Sequence, residues 1–180
     1  MSLLITESYA NSTTPLWAPA SIGNLPSQVF QYALPSGTPG GVAPNPLVYY
    51  TRPINQGIPA LDVDGYSIGI PGCRLLNNEI ILPPGTYFIT ANVVGLMLTQ
   101  KARIFDVTNN VVLAIGMSVG AETRNNESSV SCEVTFTETT TIAIQFCGSD
   151  NFGGNAQCWG QPCSFGDDEV YLQCYLTKEN

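Results

Sequence analysis

The side chains from which this chain could build chemistry are six cysteines, fourteen carboxylates and six cations, and there is no histidine. That absence removes the Ser-His-Asp triad, the Cys-His dyad, the histidine general base and every histidine-ligated zinc or iron site. A zinc site of cysteine alone needs four thiolates at close spacing, and the sequence has no Cys-x-x-Cys pair. Asp62-Val63-Asp64-Gly65 has the opening of a calcium loop but neither a third ligand before the glycine nor the distal glutamate, so it reads as a turn. Gly166-Asp167-Asp168-Glu169 is a tight acidic cluster that reads as a solvated turn. No pair of carboxylates is marked for glycoside hydrolysis. The expectation is a non-enzymatic chain with no cofactor and no metal.

The thiols divide by context. Cys132, Cys147 and Cys174 fall in strand-like runs and read as small buried apolar residues. Cys158 and Cys163 flank Trp159-Gly160-Gln161-Pro162 and read either as a short loop disulfide or as two thiols. The net charge is −8, with Arg52, Arg74, Lys101, Arg103, Arg124 and Lys178 as the cations. So few, so scattered, cannot track a phosphate backbone, which excludes nucleic acid as a partner. Lys101 and Arg103 are the one local pair; on a strand they share a face and read as a solvated sheet surface. The longest apolar run, Val93 to Leu98, is far short of the roughly 20 residues a membrane span needs. The N-terminus lacks a basic region and a long apolar core, so synthesis in a cytosol is expected. In that setting Asn11-Ser12-Thr13 and Asn126-Glu127-Ser128 are chance sequons.

The elements that must position these groups are strands. Only 11% of residues are charged, against roughly 25% in an ordinary soluble domain. The deficit is concentrated in the first 46 residues, where Glu7 is the one charge and seven of the thirteen prolines fall. Proline removes backbone donors and fixes φ, so residues 1–46 read as an extended arm and not as a helix or central strand. The arm carries Trp17, Phe30 and Tyr32, and lies on a surface or acts as a flexible linker. Residues 47–180 read as the folded domain. Strand-like runs occur at Leu47–Arg52, Tyr66–Ile70, Glu79–Leu82, Thr86–Val94, Ala102–Thr108, Val111–Met117, Val130–Phe136, Ile142–Phe146 and Val170–Leu176. Asn109-Asn110 is placed to turn a hairpin, because asparagine tolerates positive φ. No helical period appears. The fold class is all-β: an antiparallel two-sheet jelly-roll sandwich with an extended proline-rich N-terminal arm.

Two segments carry candidate contact residues. The loop from Gly148 to Phe165 is long and polar, with Phe152 and Trp159 either meeting a partner or sugar or tucked over the end of the sandwich. In the last strand Val170, Leu172, Cys174 and Leu176 read as the core face and Tyr171, Gln173 and Tyr175 as the outer one. Outward tyrosines suit a subunit contact or a surface covered by the arm.

The run Ile80-Ile81-Leu82-Pro83-Pro84-Gly85-Thr86-Tyr87-Phe88-Ile89 resembles the Pro-Gly-Thr-Tyr strand opening of the tumour-necrosis-factor and complement-head superfamily. The closing run from Phe165-Gly166 to Val170-Tyr171-Leu172-Gln173-Cys174-Tyr175-Leu176-Thr177-Lys178 is similar to the last strand of that fold, in forms found in virus and phage structural proteins. The resemblance covers residues 66–178. It implies a jelly roll that usually trimerises, with Tyr87 or Phe88 and Tyr171 and Tyr175 near the three-fold axis. No Gly-X-Y stalk precedes the domain. The expected function is that of a virion structural protein, a minor capsid, vertex or decoration subunit that meets its neighbours through the jelly roll and the arm. A trimeric receptor- or glycan-binding head is the alternative.

Overall fold

The computed structural model describes residues 25–42, 45–96, 99–120, 124–149 and 157–179. Eleven strands follow one another with no helix among the described residues: β1 (Ser27–Leu34), β2 (Tyr50–Thr51), β3 (Gln56–Ile58), β4 (Arg74–Leu76), β5 (Glu79–Leu82), β6 (Gly85–Gly95), β7 (Gln100–Asp106), β8 (Val111–Ile115), β9 (Asn126–Phe136), β10 (Thr140–Gly148) and β11 (Glu169–Lys178). They form two antiparallel sheets. One has the order β3-β1-β11-β6-β9, and the other β4-β5-β10-β7-β8, with β2 also on β10.

Alternation builds the core. Phe30, Cys174, Ala91 and Val130 share one rung across β1, β11, β6 and β9, and all four are buried. Ile80, Leu82, Ile104, Ile142, Ile144 and Phe146 fill the facing layer. Each large apolar side chain taken out of water there is worth about 1.5–3 kcal/mol. The β7–β8 hairpin turns at Asn110, with φ of 56° as its sequence foretells. Asp106 fixes the turn by accepting from the Asn109 backbone N–H at 2.9 Å and from its side-chain amide at 2.8 Å.

The expected boundary at residue 46 does not survive. Residues 27–34 are a body strand, hydrogen-bonded to β11 on one side and β3 on the other. The prolines of this region bracket the strand, at Pro26 and Pro35, and none falls within Ser27–Leu34. Every donor the ladder needs is therefore present. Phe30 is fully buried and Tyr32 packs against the core, so neither is an arm contact. Trp17 lies outside the described residues. Two expected strands shrink. Leu47 has φ of 62°, which stops β2 from starting there, and Tyr66–Ile70 keeps only the bridge from Tyr66 to Arg74. Asp62 folds the intervening turn by accepting from the Asp64 and Tyr66 amides at 2.9 and 2.8 Å.

Candidate functional site

The outer face of the five-stranded sheet follows from the rungs on either side of the Phe30–Cys174–Ala91–Val130 core rung. One reads Val29, Tyr175, Thr90 and Ser131; the next reads Gln31, Gln173, Asn92 and Ser129. Nearer the other end come Ser27, Thr177, Phe88 and Glu133. Across these three rungs Glu133 is the only charge, and it sits on the edge strand. The amides and hydroxyls are tied to one another: the Tyr175 hydroxyl donates to Gln173 Oε1 at 2.8 Å, and Gln56 Nε2 donates to Gln31 Oε1 at 3.1 Å. Phe88 stands half out of the surface. A depression of about 110 Å³ lined by Asn92, Val94, Glu127, Val170, Leu172 and Gln173 marks one end of the face.

Of the residues expected on a subunit face, Phe88, Gln173 and Tyr175 lie on this surface. Tyr87 and Tyr171 do not. Tyr87 points inward from β6, is fully buried, and donates its hydroxyl to Pro83 O at 2.7 Å. Tyr171 is the extra residue of a β-bulge, because Tyr32 pairs with Leu172 while Ala33 pairs with Val170. The bulge reverses the alternation. It turns Val170 to solvent and Tyr171 inward, against the strict period read from the sequence.

Tyr171 helps close the end of the sandwich. Its hydroxyl donates to Thr38 O at 2.7 Å and its ring lies 6.2 Å from that of Tyr32. Gly160, at φ +130°, passes so close that a Cβ there would run into the Tyr171 ring. Trp159 is likewise turned back onto the body: its backbone N–H donates to Gly41 O at 3.0 Å and its ring covers the guanidinium of Arg52 at 4.7 Å. It is therefore not the free contact residue of the loop, and Phe152 lies outside the described residues. Cys158 is buried in the core while Cys163 is exposed, and no disulfide joins them. Burial pushes the Cys73 thiol up to about 12 and Cys174 higher still, so both remain neutral thiols.

Arg52, which the sequence presents as one cation among six, is the centre of this closure. It is fully buried between the Phe146 ring at 5.3 Å and the Trp159 ring. Its Nη2 donates to Trp159 O at 2.9 Å and to Val94 O and Tyr171 O at 3.3 Å each. Nε and Nη1 have no partner among the described residues. Burial pulls the guanidinium down to about 9, which leaves it charged at neutral pH.

The acidic cluster before β11 also has a structural use. Glu169 accepts from the Cys163 N–H at 3.0 Å, the Ser164 N–H at 2.7 Å and the Gly37 N–H at 3.1 Å. These amides hold its carboxyl below the ordinary glutamate value of 4.5. A carboxylate lowered in the folded state contributes stability in full above that value, and the contribution is lost as pH falls through the folded value. Glu169→Gln is expected to speed hydrogen exchange at the Cys163, Ser164 and Gly37 amides at pH 7, and to flatten the acid limb of the stability profile. Unchanged exchange at those three amides would show that the carboxylate does not hold the loop.

No family model matches the chain, and no curated protein matches it in sequence. Among solved structures, murine APRIL at pH 8.0 superposes with a TM-score of 0.53 at 10% identity, covering 85% of this chain and 99% of that one. The fold is an antiparallel two-sheet jelly-roll sandwich like that of murine APRIL. The globular domain of the zebrafish complement 1qA protein aligns at a TM-score of 0.48, 12% identity, 87% of this chain and 98% of that one. Eiger TNF from S. frugiperda aligns at 0.46, 11% identity, 87% and 93%.

Proposed function

We propose that this chain is a non-enzymatic recognition head that self-associates, as a trimer, through the outer face of its five-stranded sheet. The observation that carries the reading is the character of that face. A sheet surface meant for water is expected to carry charges of both signs. This one has amides, hydroxyls, Val29, Phe88 and Tyr175 over four strands, with its carboxylates, Glu127 and Glu133, confined to the edge strand β9. Depletion of charge with enrichment of aromatic residues is the composition of an interface centre. The scarcity of charge in the chain as a whole is accounted for in the same way. The resemblance read in the sequence, and the fold shared with murine APRIL, support a head over an isolated sandwich.

The virion-subunit reading loses its main support. It rested on a 46-residue arm with three aromatic contacts, and Phe30 and Tyr32 belong to the body's own sheet. Light scattering of the full chain tests the head reading. A mass of about three chains of 19.3 kDa is expected, and a monomer at tens of micromolar would overturn it.

A further inference from the structure

The outer face of the other sheet carries a second feature. An open cleft of about 200 Å³ lies between β2, β7, β10 and the segment after β8, lined by Tyr49, Thr99, Lys101, Ser118, Cys147 and Ser149. Its frame is fixed by backbone bonds: Leu47 N to Gly148 O at 2.7 Å, Ser149 N to Thr99 O at 2.8 Å, and Gln100 and Val119 in a mutual pair at 2.7 and 3.0 Å. Lys101 stands opposite Cys147 in the register, and Arg103 opposite Gln145. The Arg103 guanidinium is clamped between the rings of Tyr49 at 3.8 Å and Phe105 at 4.8 Å, and its Nε donates to Gln145 Oε1 at 2.8 Å. Tyr49 is thus held as one wall of the cleft. Neither cation has a carboxylate partner among the described residues, in a chain of net charge −8. Burial pushes the Cys147 thiol and the Tyr49 phenol up, so neither supplies a competing anion at neutral pH.

The geometry points to this cleft as a binding site for a single carboxylate-bearing sugar ring, with Lys101 taking the carboxylate and the hydroxyls of Tyr49, Thr99, Ser118 and Ser149 meeting the ring hydroxyls. The assignment rests on the reading of the chain as a recognition head and gives that head a ligand class. An ammonium with no carboxylate partner among the described residues, in a chain of net charge −8, selects an anion. Hydroxyls that both donate and accept suit a polyhydroxylated ring. The volume is below the roughly 300–1,000 Å³ that take a drug-sized molecule, so one ring fits and an oligomer would run on across the face. An acidic peptide is disfavoured, because β7 and β10 are each paired on both sides and leave no strand edge for it to join.

The test is titration calorimetry of the full chain with methyl β-glucuronide and methyl β-glucoside, which differ only in the carboxylate at C6, with acetate and inorganic phosphate as bare anions. The glucuronide is expected to bind at least about tenfold more tightly than the glucoside and the two bare anions, and to weaken with salt. Lys101→Gln should lose about tenfold and Lys101→Arg most of that loss should recover, while Ser118→Leu should block the cleft with the charge intact. Melting curves of the variants identify any that fail to fold. Absence of glucuronide binding, equal binding of the glucoside, equal binding of acetate or phosphate, or an unaffected Lys101→Gln would each overturn the site. The mass of the same sample separates the two readings: a trimer that does not bind removes the site alone, and a monomer that binds removes the trimer alone.

Discussion

Replacing Arg52 with alanine is expected to lower the melting temperature by about 10 °C, the largest loss foreseen for any single polar side chain of this fold. Three backbone carbonyls, from β6, from the Trp159 segment and from the β11 bulge, take their hydrogen bonds from one nitrogen of Arg52. Those carbonyls cannot be mutated away. Removing the guanidinium leaves them buried without it, at roughly 1–3 kcal/mol for each one left unmet. One nitrogen serving three acceptors shares its protons, so the three costs do not add in full. Loss of the stem between Phe146 and Trp159 adds a cavity term. Relief of a buried charge that lacks a counter-ion acts in the opposite direction. The balance is about 3 kcal/mol against the fold. Arg52→Met separates the contributions. It keeps an apolar stem between the two rings and removes both the charge and the donors, so it should cost about half as much. Thermal unfolding followed by circular dichroism measures both. A loss of under about 1 kcal/mol for the alanine variant would mean that water replaces the guanidinium and that the closure does not depend on it.

The strands that were legible in the sequence are the long ones with an unbroken period of two. Gly85–Gly95, Asn126–Phe136 and Thr140–Gly148 each contain the alternating run read from the residues, extended at their ends where the ladder continues. The errors share a cause: composition or periodicity was averaged over a segment that the chain divides. Proline density over residues 1–46 concealed an eight-residue strand with no proline in it. The uniform period over Val170–Leu176 concealed a bulge, because only pairing with β1 reveals the extra residue. Tyr171 consequently changed sides while Gln173 and Tyr175 kept theirs. Arg52 was missed for a different reason. Its burial is set by Phe146, Trp159 and Tyr171, all distant in sequence, and nothing local distinguishes it from an exposed cation beyond its place in the Leu47–Arg52 run. The Lys101–Arg103 pair was legible as a shared face, but the cleft beside it needed Ser118 and Ser149, which reach it from two other connections.

Tyr175→Arg is expected to convert the assembly to single chains of 19.3 kDa while leaving the sandwich folded. Tyr175 lies mid-sheet on the outer face, with Val29 and Thr90 as its rung neighbours on either side. Its hydroxyl is already satisfied by Gln173, so the ring can enter an apolar centre without stranding a polar group. A guanidinium at that position would be repeated by symmetry in each subunit of a trimer. Like charges brought together in a desolvated centre cost several kcal/mol, enough to weaken assembly by about a hundredfold or more. In the separate chain the same guanidinium faces water, and the core rung beneath it, Phe30, Cys174, Ala91 and Val130, is untouched. Folding and assembly are therefore expected to part company: an unchanged strand signature by circular dichroism and a mass reduced to one chain by light scattering. Val112→Arg supplies the control, since Val112 is exposed on β8 at the edge of the opposite sheet and should leave the mass at three chains. If Tyr175→Arg kept the parental mass while Val112→Arg reduced it, the contact would lie on the six-stranded sheet. The charge-poor outer face of β1, β11 and β6 would then need another occupant.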